Sequence, residues 1–133
     1  MDRQSATEWL ERYVAAWESY DREQIAALFS EEVVYRYHPY DEPVVGREAV
    51  VESWLGEGDH EGASERDEPG TYEASYEPVA IDGDTVVATG TSSYRECPGG
   101  EINKVYFNCM VMRFDDEGRC AEYTEWFNRR PAA

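Results

Sequence analysis

The sequence contains few basic residues. Eleven arginines and one lysine face 29 acidic residues, which gives a formal net charge of −17 and an isoelectric point near 4.3. A surface of this charge repels phosphate backbones and anionic membranes, so it argues against nucleic-acid binding. We interpret the acidity either as adaptation to high salt or as ordinary solubility.

Cysteines and recognised cofactor motifs are also scarce. Cys97, Cys109 and Cys120 are odd in number and lack the C-x-x-C spacing of a zinc site, so we interpret them as free thiols in a reducing compartment. The sequence contains no G-x-G-x-x-G segment, no P-loop and no nucleophile elbow. It therefore predicts no metal and no nucleotide cofactor.

Long hydrophobic runs are absent as well. No apolar segment approaches the length of a membrane-spanning helix, and the first residues do not resemble a signal peptide. With 133 residues, of which 41% are hydrophobic and 14% aromatic, the chain is long enough to bury a core. We therefore expect a single cytoplasmic domain over residues 1–133 with no membrane contact.

Helical signals dominate the first part of the sequence. Residues 5–8, Ser-Ala-Thr-Glu, form a capping-box pattern, and large apolar residues then recur at helical spacing up to Trp17. Asp21 is predicted to cap a second, shorter helix that extends to Phe29. Residues 33–38 are β-branched or aromatic and predict a strand, and Gly46 leads into a third helix.

The remainder of the chain has the pattern of β-structure. Residues 56–70 are rich in glycine and acidic side chains and predict a solvated loop, either an inert connector or a mobile lid. Asp82-Gly83 is typical of a type I′ hairpin between two strands, and two further strands are predicted over 102–114 and 119–127. Helices followed by an antiparallel meander predict an α+β domain with its helices on one face of the sheet.

Four short segments together carry a family resemblance. They are residues 12–16 (Arg-Tyr-Val-Ala-Ala), residues 27–32 (Ala-Leu-Phe-Ser-Glu-Glu), His38-Pro39, and Gly46 followed by a helix. The combination resembles the nuclear-transport-factor-2-like (NTF2-like) superfamily, and within it the SnoaL-like branch.

This resemblance implies a cone-shaped α+β fold. Three N-terminal helices would pack on the concave face of a strongly curved, mainly antiparallel sheet and enclose an apolar cavity. Because the superfamily includes isomerases, dehydratases, cyclases, hydrolases and noncatalytic modules, the fold alone selects no reaction.

The ketosteroid isomerases of the same superfamily imply roles for particular residues. Their oxyanion-binding tyrosine matches Tyr13. Their general-base aspartate, which precedes a proline, matches His38 with a spacing difference of one residue. Their second oxyanion donor falls on Met110, whose thioether donates no hydrogen bond. The comparison therefore does not predict steroid isomerisation by that mechanism.

The same comparison predicts which strand residues face the cavity. If Met110 points inward, the period-two alternation of a strand also turns Tyr106 and Asn108 inward. On the last strand the comparison places Tyr123 and Glu125 inward. A carboxylate in such surroundings has a raised pKa unless it is paired.

The candidate site has catalytic and binding members. The predicted catalytic residues are His38, Glu125 and Tyr13, and the predicted substrate-binding residues are Asn108, Tyr106, Met110, Trp54, Tyr123 and Trp17. His38 would accept a proton, Tyr13 or Asn108 would donate to an oxyanion, and Glu125 would orient the imidazole or return the proton. The structural alternatives are a strand-end cap for His38, core packing for Tyr13, and an outward-facing charge for Glu125 with Trp126 in the core instead.

Two functions remain open from the sequence. The first is a cofactor-independent isomerase, dehydratase or hydrolase that acts on an apolar carbonyl or epoxide compound by general acid/base chemistry. The alternative is a noncatalytic ligand-binding or dimerisation module. Both expect a small apolar molecule as the bound partner.

The opposite face of the same strands predicts a protein partner. Val105, Phe107, Cys109 and Val111 alternate with the inward residues, and Trp126 lies on the neighbouring strand. This face is too apolar for solvent, and the helices cover only the concave side. We therefore expect a homodimer through the convex face of the sheet.

Overall fold

The computed structural model describes residues 1–57 and 67–131, in which three helices and six strands form. The helices are α1 (Arg3–Ser19), α2 (Arg22–Ala27) and α3 (Arg47–Trp54). The strands are β1 (Phe29–Arg36), β2 (Val44–Val45), β3 (Tyr72–Asp82), β4 (Thr85–Arg95), β5 (Ile102–Phe114) and β6 (Cys120–Arg129). Most of the predicted acidic loop, residues 58–66, lies outside the described residues.

The six strands form one curved, open sheet in the order β2-β1-β6-β5-β4-β3. Strand β1 runs parallel to β6, and every other neighbouring pair is antiparallel. The first strand thus lies beside the last one, so residues far apart in sequence meet at the centre of the sheet. The predicted α+β class with a mainly antiparallel sheet is confirmed, and the parallel pair makes the sheet mixed.

Side-chain caps set where the first two helices begin. Asp2 accepts a hydrogen bond from the backbone N–H of Ser5 at 2.8 Å, so α1 begins at Arg3. The predicted capping box at residues 5–8 was wrong because the earlier aspartate satisfies the free amides first. Asp21 caps α2 as predicted, accepting from the backbone N–H of Gln24 at 2.9 Å.

The chain changes from helix to strand earlier than the sequence pattern indicated. Phe29 was assigned to the end of the second helix but begins β1 and is fully buried. After β1, the short strand β2 pairs antiparallel with Val34 and Tyr35, which the proline-rich crossover did not reveal. Here tertiary pairing overrides local helical spacing.

The hairpin between β3 and β4 forms, but with a different turn. Asp82 pairs with Thr85, so the two-residue loop is Gly83-Asp84. A type I′ turn needs positive φ at both loop residues, and of these two only Gly83 has one, at 61°. The predicted type I′ turn is therefore wrong, although the strand register around it is well defined.

The helices cover one end of the concave face and form the hydrophobic core there. Trp9 of α1 packs against Phe29 of β1 and Phe114 of β5, with ring centroids 6.2 and 5.3 Å apart. Met110 and Met112 lie on the same face of β5 and are at most 1% exposed. The core therefore occupies the end of the sheet where β5 finishes and β6 begins.

Gly90 permits a close approach of β3 and β4 near the middle of the concave face. It pairs with Tyr76 on one side and with Asn108 on the other. A Cβ atom at Gly90 would overlap the carbonyl oxygen of Ser75 and would lie 2.8 Å from the Cα of Tyr76. Only glycine fits this position without a shift of the backbone.

Candidate functional site

Beyond Gly90 the concave face opens into a cavity of about 330 Å³. Nine of its lining residues are aromatic: Tyr13, Trp17, Tyr35, Tyr37, Tyr72, Tyr76, Tyr94, Tyr106 and Phe127. Among the described residues, the polar members of the lining are Asp67, Ser92, Lys104, Asn108 and Glu125. Seven of the ten tyrosines in the chain thus line the cavity, which combines flat apolar rings with phenolic hydroxyls.

Glu125 is the carboxyl group at the inner end of this cavity. The Tyr123 hydroxyl donates to its Oε1 atom at 2.5 Å, and the Asn108 amide nitrogen donates to its Oε2 atom at 2.7 Å. The hydroxyl of Tyr13 lies 3.5 Å from Oε1 and 2.7 Å from the Tyr123 hydroxyl. Both carboxyl oxygens are therefore held by neutral donors.

Strand geometry brings these groups together. Tyr123 and Glu125 are two residues apart on β6 and share its inner face. Met110 lies opposite Glu125 and Asn108 opposite Phe127, so Asn108 and Glu125 are diagonal neighbours across β5 and β6. The Tyr13 side chain reaches the same point from α1, so the cluster is formed by side chains from α1, β5 and β6.

Ser92 fixes the orientation of the Asn108 amide. Its hydroxyl donates to the Asn108 Oδ1 atom at 3.0 Å, and both residues are buried. With the amide oxygen occupied, the amide nitrogen faces Glu125. The chain Ser92–Asn108–Glu125 therefore runs across three strands and presents a donor to the carboxylate.

Burial controls the protonation of the cluster. Desolvation raises the pKa of Glu125, and the hydrogen bonds from Tyr123, Asn108 and Tyr13 act against this rise. Burial and then the charge of Glu125 raise the pKa of Tyr123 well above its ordinary value. The same two causes raise the pKa of Tyr76 to about 12. The phenols therefore stay protonated and act as donors, while Glu125 is the group that titrates.

The outer end of the cavity carries the remaining charges. The Lys104 ammonium lies 5.3 Å from the centroid of the Tyr94 ring, within the range of a cation–π contact. Asp67 accepts from the Tyr20 hydroxyl at 3.3 Å, and its backbone N–H donates to that hydroxyl at 2.8 Å. Burial raises the pKa of Asp67.

The structure brings together most of the residues that the sequence singled out. Tyr13, Asn108, Tyr123 and Glu125 form the hydrogen-bonded cluster described above. Trp17 and Tyr106 are among the lining residues. The geometry thus places six predicted residues in or beside one cavity, and their roles remain predictions.

His38 lies elsewhere, outside the cavity lining. Its ring packs 5.9 Å from the Phe127 ring and 6.0 Å from the exposed Tyr40 ring. Strand β1 ends at Arg36, and Tyr35 and Tyr37 take the inward positions, so His38 falls out of phase with them. The expected pairing of His38 with Glu125 does not form.

Met110 and Trp54 also differ from the prediction. Both are fully buried and belong to the hydrophobic core rather than to the cavity lining. Trp54 stacks on Trp17 with ring centroids 3.9 Å apart, so it supports a lining residue from behind. Met110 faces the predicted side of β5 but sits where helices cover the sheet.

Sequence reasoning missed the contribution of β3 and β4. Tyr72 and Tyr76 lie four residues apart on β3, and Ser92 and Tyr94 lie two apart on β4, so each pair shares one face. The signal was present as polar aromatic residues at even spacing. The spacing alone did not show that this face points into the cavity, because that depends on how β3 and β4 pair with β5.

Membrane-spanning helices and metal-binding clusters are both absent from the part of the chain that the structure describes. Within residues 1–57 and 67–131, no helix is long and apolar enough to cross a membrane. Across the same two ranges, no group of three or more His, Cys, Asp and Glu side chains is placed to hold a metal ion.

The curved sheet, the helices on its concave face and the cavity between them define a protein of the NTF2-like fold. The chain belongs to the SnoaL-like domain family, whose model matches residues 10–123. A crystal structure of an NTF-2 like protein of unknown function from Burkholderia xenovorans LB400 is similar, with a TM-score of 0.67 and 16% identity. The similarity covers 98% of this chain and 88% of that chain and shows the shared fold. No curated protein matches the chain.

Proposed function

We propose that this protein binds a small, largely apolar organic molecule in the aromatic cavity and that Glu125 transfers a proton to or from that molecule. The observation that carries the proposal is the position of Glu125, a half-buried carboxyl group held by Tyr123 and Asn108 at the cavity wall. Its pKa is raised by burial, which brings a carboxyl group closer to the range where it both gives and takes protons.

The chemistry available to this cluster is cofactor-independent isomerisation, dehydration or hydrolysis of a carbonyl or epoxide compound. Glu125 acts as the proton acceptor or donor, and the hydroxyl of Tyr13 stabilises negative charge that develops on a substrate oxygen. Asn108 positions the carboxylate and receives its own orientation from Ser92. His38 takes no part in this proposal because it lies outside the cavity lining.

The test compares wild-type protein with Glu125→Gln on a panel of cyclic ketones, enones and epoxides, with products followed by NMR. Loss of a positioned acid/base group is expected to lower turnover of any accepted compound by about a hundredfold or more. Glu122→Gln is the matched control, because it removes the same charge from an exposed position on the same strand. Undiminished turnover by Glu125→Gln would show that Glu125 moves no proton.

A noncatalytic ligand-binding module is the second candidate. The observation that favours it is the isolation of Glu125 among the described residues: the other acidic residue of the cavity, Asp67, lies beside Tyr20, and His38, the one histidine that the structure describes, does not line the wall. A reaction that needs separate acid and base groups then has only one of them at the inner end. This candidate expects tight binding of a compound that wild-type protein leaves chemically unchanged.

The convex face supports a further proposal, a homodimer. Phe107 is 61% exposed, Trp126 42% and Val111 36%, and they lie on neighbouring strands β5 and β6. Large apolar side chains at this density are typical of a surface that another protein covers. Phe107→Glu is expected to convert a dimer into monomers in sedimentation velocity, whereas a wild-type protein that is monomeric at high concentration would refute the dimer.

A further inference from the structure

Glu125 has no cationic partner within the part of the chain that the structure describes. The ion pairs of residues 1–57 and 67–131 join exposed or half-buried arginines to exposed glutamates, and none includes Glu125. Its contacts, from Tyr123, Asn108 and Tyr13, are neutral donors, and all three serve the ionised carboxylate. A partly desolvated carboxylate without a counter-ion among the described residues is costly, and a positively charged ligand would offset that cost.

The walls of the cavity suit a positive charge for a second, independent reason. Tyrosine rings carry negative potential on their faces, and a cavity lined by several of them is the arrangement that recognises organic ammonium groups. The protein already shows such a contact at the outer end, where the Lys104 ammonium lies 5.3 Å from the Tyr94 ring centroid. The inner tyrosines, including Tyr76 and Tyr35, have no lysine of their own because the chain contains only one.

The net charge of the whole molecule also favours a cationic ligand. A formal net charge of −17 raises the local concentration of cations around the protein and lowers that of anions. Among the lining residues that the structure describes, Lys104 is the one cationic member and no arginine is present. An anionic ligand would therefore meet Glu125 and Asp67 with little compensation.

We propose that the ligand of this cavity carries an organic ammonium group, which lies against the tyrosine rings with Glu125 as its counter-ion. The inference rests on the proposed function in taking the cavity as the ligand site, and it adds the charge of the ligand. The apolar body of the ligand packs on the remaining rings, and the phenolic hydroxyls accept hydrogen bonds from the ammonium where it carries protons.

The test is a comparison of two molecules of nearly equal shape, choline and its neutral carbon analogue 3,3-dimethylbutan-1-ol, by isothermal titration calorimetry with the full chain. Choline is expected to bind at least about tenfold more tightly, since desolvated cation–π contacts and one charge pair add to the shared apolar contact. The measurement is repeated in 0.5 M NaCl, which screens attraction by the acidic surface.

Two variants separate the cavity from the surface. Glu125→Gln keeps the shape of the side chain and removes its charge, and it is expected to reduce the ratio of choline affinity to neutral-analogue affinity to about threefold or less. Glu122→Gln, its matched control on the same strand, is expected to keep the full preference. Near-UV circular dichroism verifies that both variants retain the aromatic packing.

Other outcomes would overturn the ammonium proposal, and one of them would also overturn the proposed function. Equal binding of choline and the neutral analogue would overturn the ammonium proposal and leave the cavity as a ligand site. A choline preference that survives Glu125→Gln, or that disappears in 0.5 M NaCl, would assign the attraction to the surface and also overturn it. Failure of both molecules, and of the ketone and epoxide panel, to bind would reject the cavity as a ligand site and with it the proposed function.

Discussion

The two halves of the concave face are built from the same strands and differ in their contents. Along β5, Met110, Met112 and Phe114 are at most 2% exposed and pack under the helices. Toward the start of that strand, on the same face, Asn108 and Tyr106 line an open cavity. The backbone pairing continues without interruption from one half to the other.

The change occurs at one position across the sheet. Gly90 and Asn108 face each other on β4 and β5, and beyond them the inward side chains become polar, as at Ser92 and Tyr106. The apolar half gains stability from close packing, whereas the polar half can be left open because its groups satisfy one another. The cavity is therefore placed by a switch in side-chain chemistry along continuous strands, not by a break in the sheet.

The largest loss of stability is expected from a substitution in the packed half. Trp9 is 1% exposed, and its indole nitrogen donates to the carbonyl oxygen of Leu28 at 3.0 Å. Trp9→Ala is expected to lower the free energy of unfolding by about 3–5 kcal/mol in urea denaturation. Trp17→Ala, at the cavity, is expected to cost less because the ring already borders open space. An equal loss in the free energy of unfolding for the two variants would mean that the two halves are packed alike.

The boundary between the halves is expected to be nearly as sensitive. Gly90→Ala forces a Cβ atom against Ser75 and Tyr76, which requires a shift of β3 relative to β4. We expect a loss of about 1–3 kcal/mol in the free energy of unfolding, together with weaker ligand binding, because Tyr76 lines the cavity. Thr91→Ala, one residue further along the strand, is the control and should cost less than about 1 kcal/mol. A Gly90→Ala protein of wild-type stability would contradict the close approach.

The open half is expected to show a pH dependence that the packed half lacks. Because burial raises the pKa of Glu125 above the 4.5 of an exposed glutamate, the folded state binds this proton more tightly than the unfolded chain. The stability that this group contributes is complete below about pH 4.5 and is lost as the pH rises through the folded pKa. Relative to wild type, Glu125→Gln should therefore become progressively more stable across that window.

Urea denaturation at several pH values between 4 and 8 measures this difference. Glu122→Gln serves as the comparison, because it changes the net charge by the same amount at an exposed site. A difference between wild type and Glu125→Gln that does not vary with pH would show that the carboxyl group experiences no net effect of burial.

The smallest effect is expected at the surface, away from both halves. Arg113 and Glu122 form an ion pair at 3.2 Å with about half of each side chain exposed to solvent. Solvent and salt screen such a pair, so Glu122→Gln should change the free energy of unfolding by less than about 1 kcal/mol. A larger loss in urea denaturation would mean that this pair is coupled to the core beneath it.

Local rules predicted much of the fold. Helical spacing located α1, and Asp21 located the start of α2. These features depend on residues close together in the chain, so the sequence contains the relevant information directly. The placement of His38 could not be predicted in this way, because a difference of one residue near a strand end reverses the direction of a side chain.

The sequence by itself determined the helices, the strand pattern, the strongly acidic charge and the two-residue spacing that puts Tyr123 and the Glu125 carboxyl group on one face of the last strand. Only the tertiary structure decided that Tyr13, Tyr123 and Asn108 converge on that carboxyl group, that β1 lies beside β6, and that a void remains beyond Gly90. The physical reason is that direction follows from the period of a strand, whereas contact depends on how distant segments pack. A void is the space that packing leaves unfilled, so no local pattern specifies it.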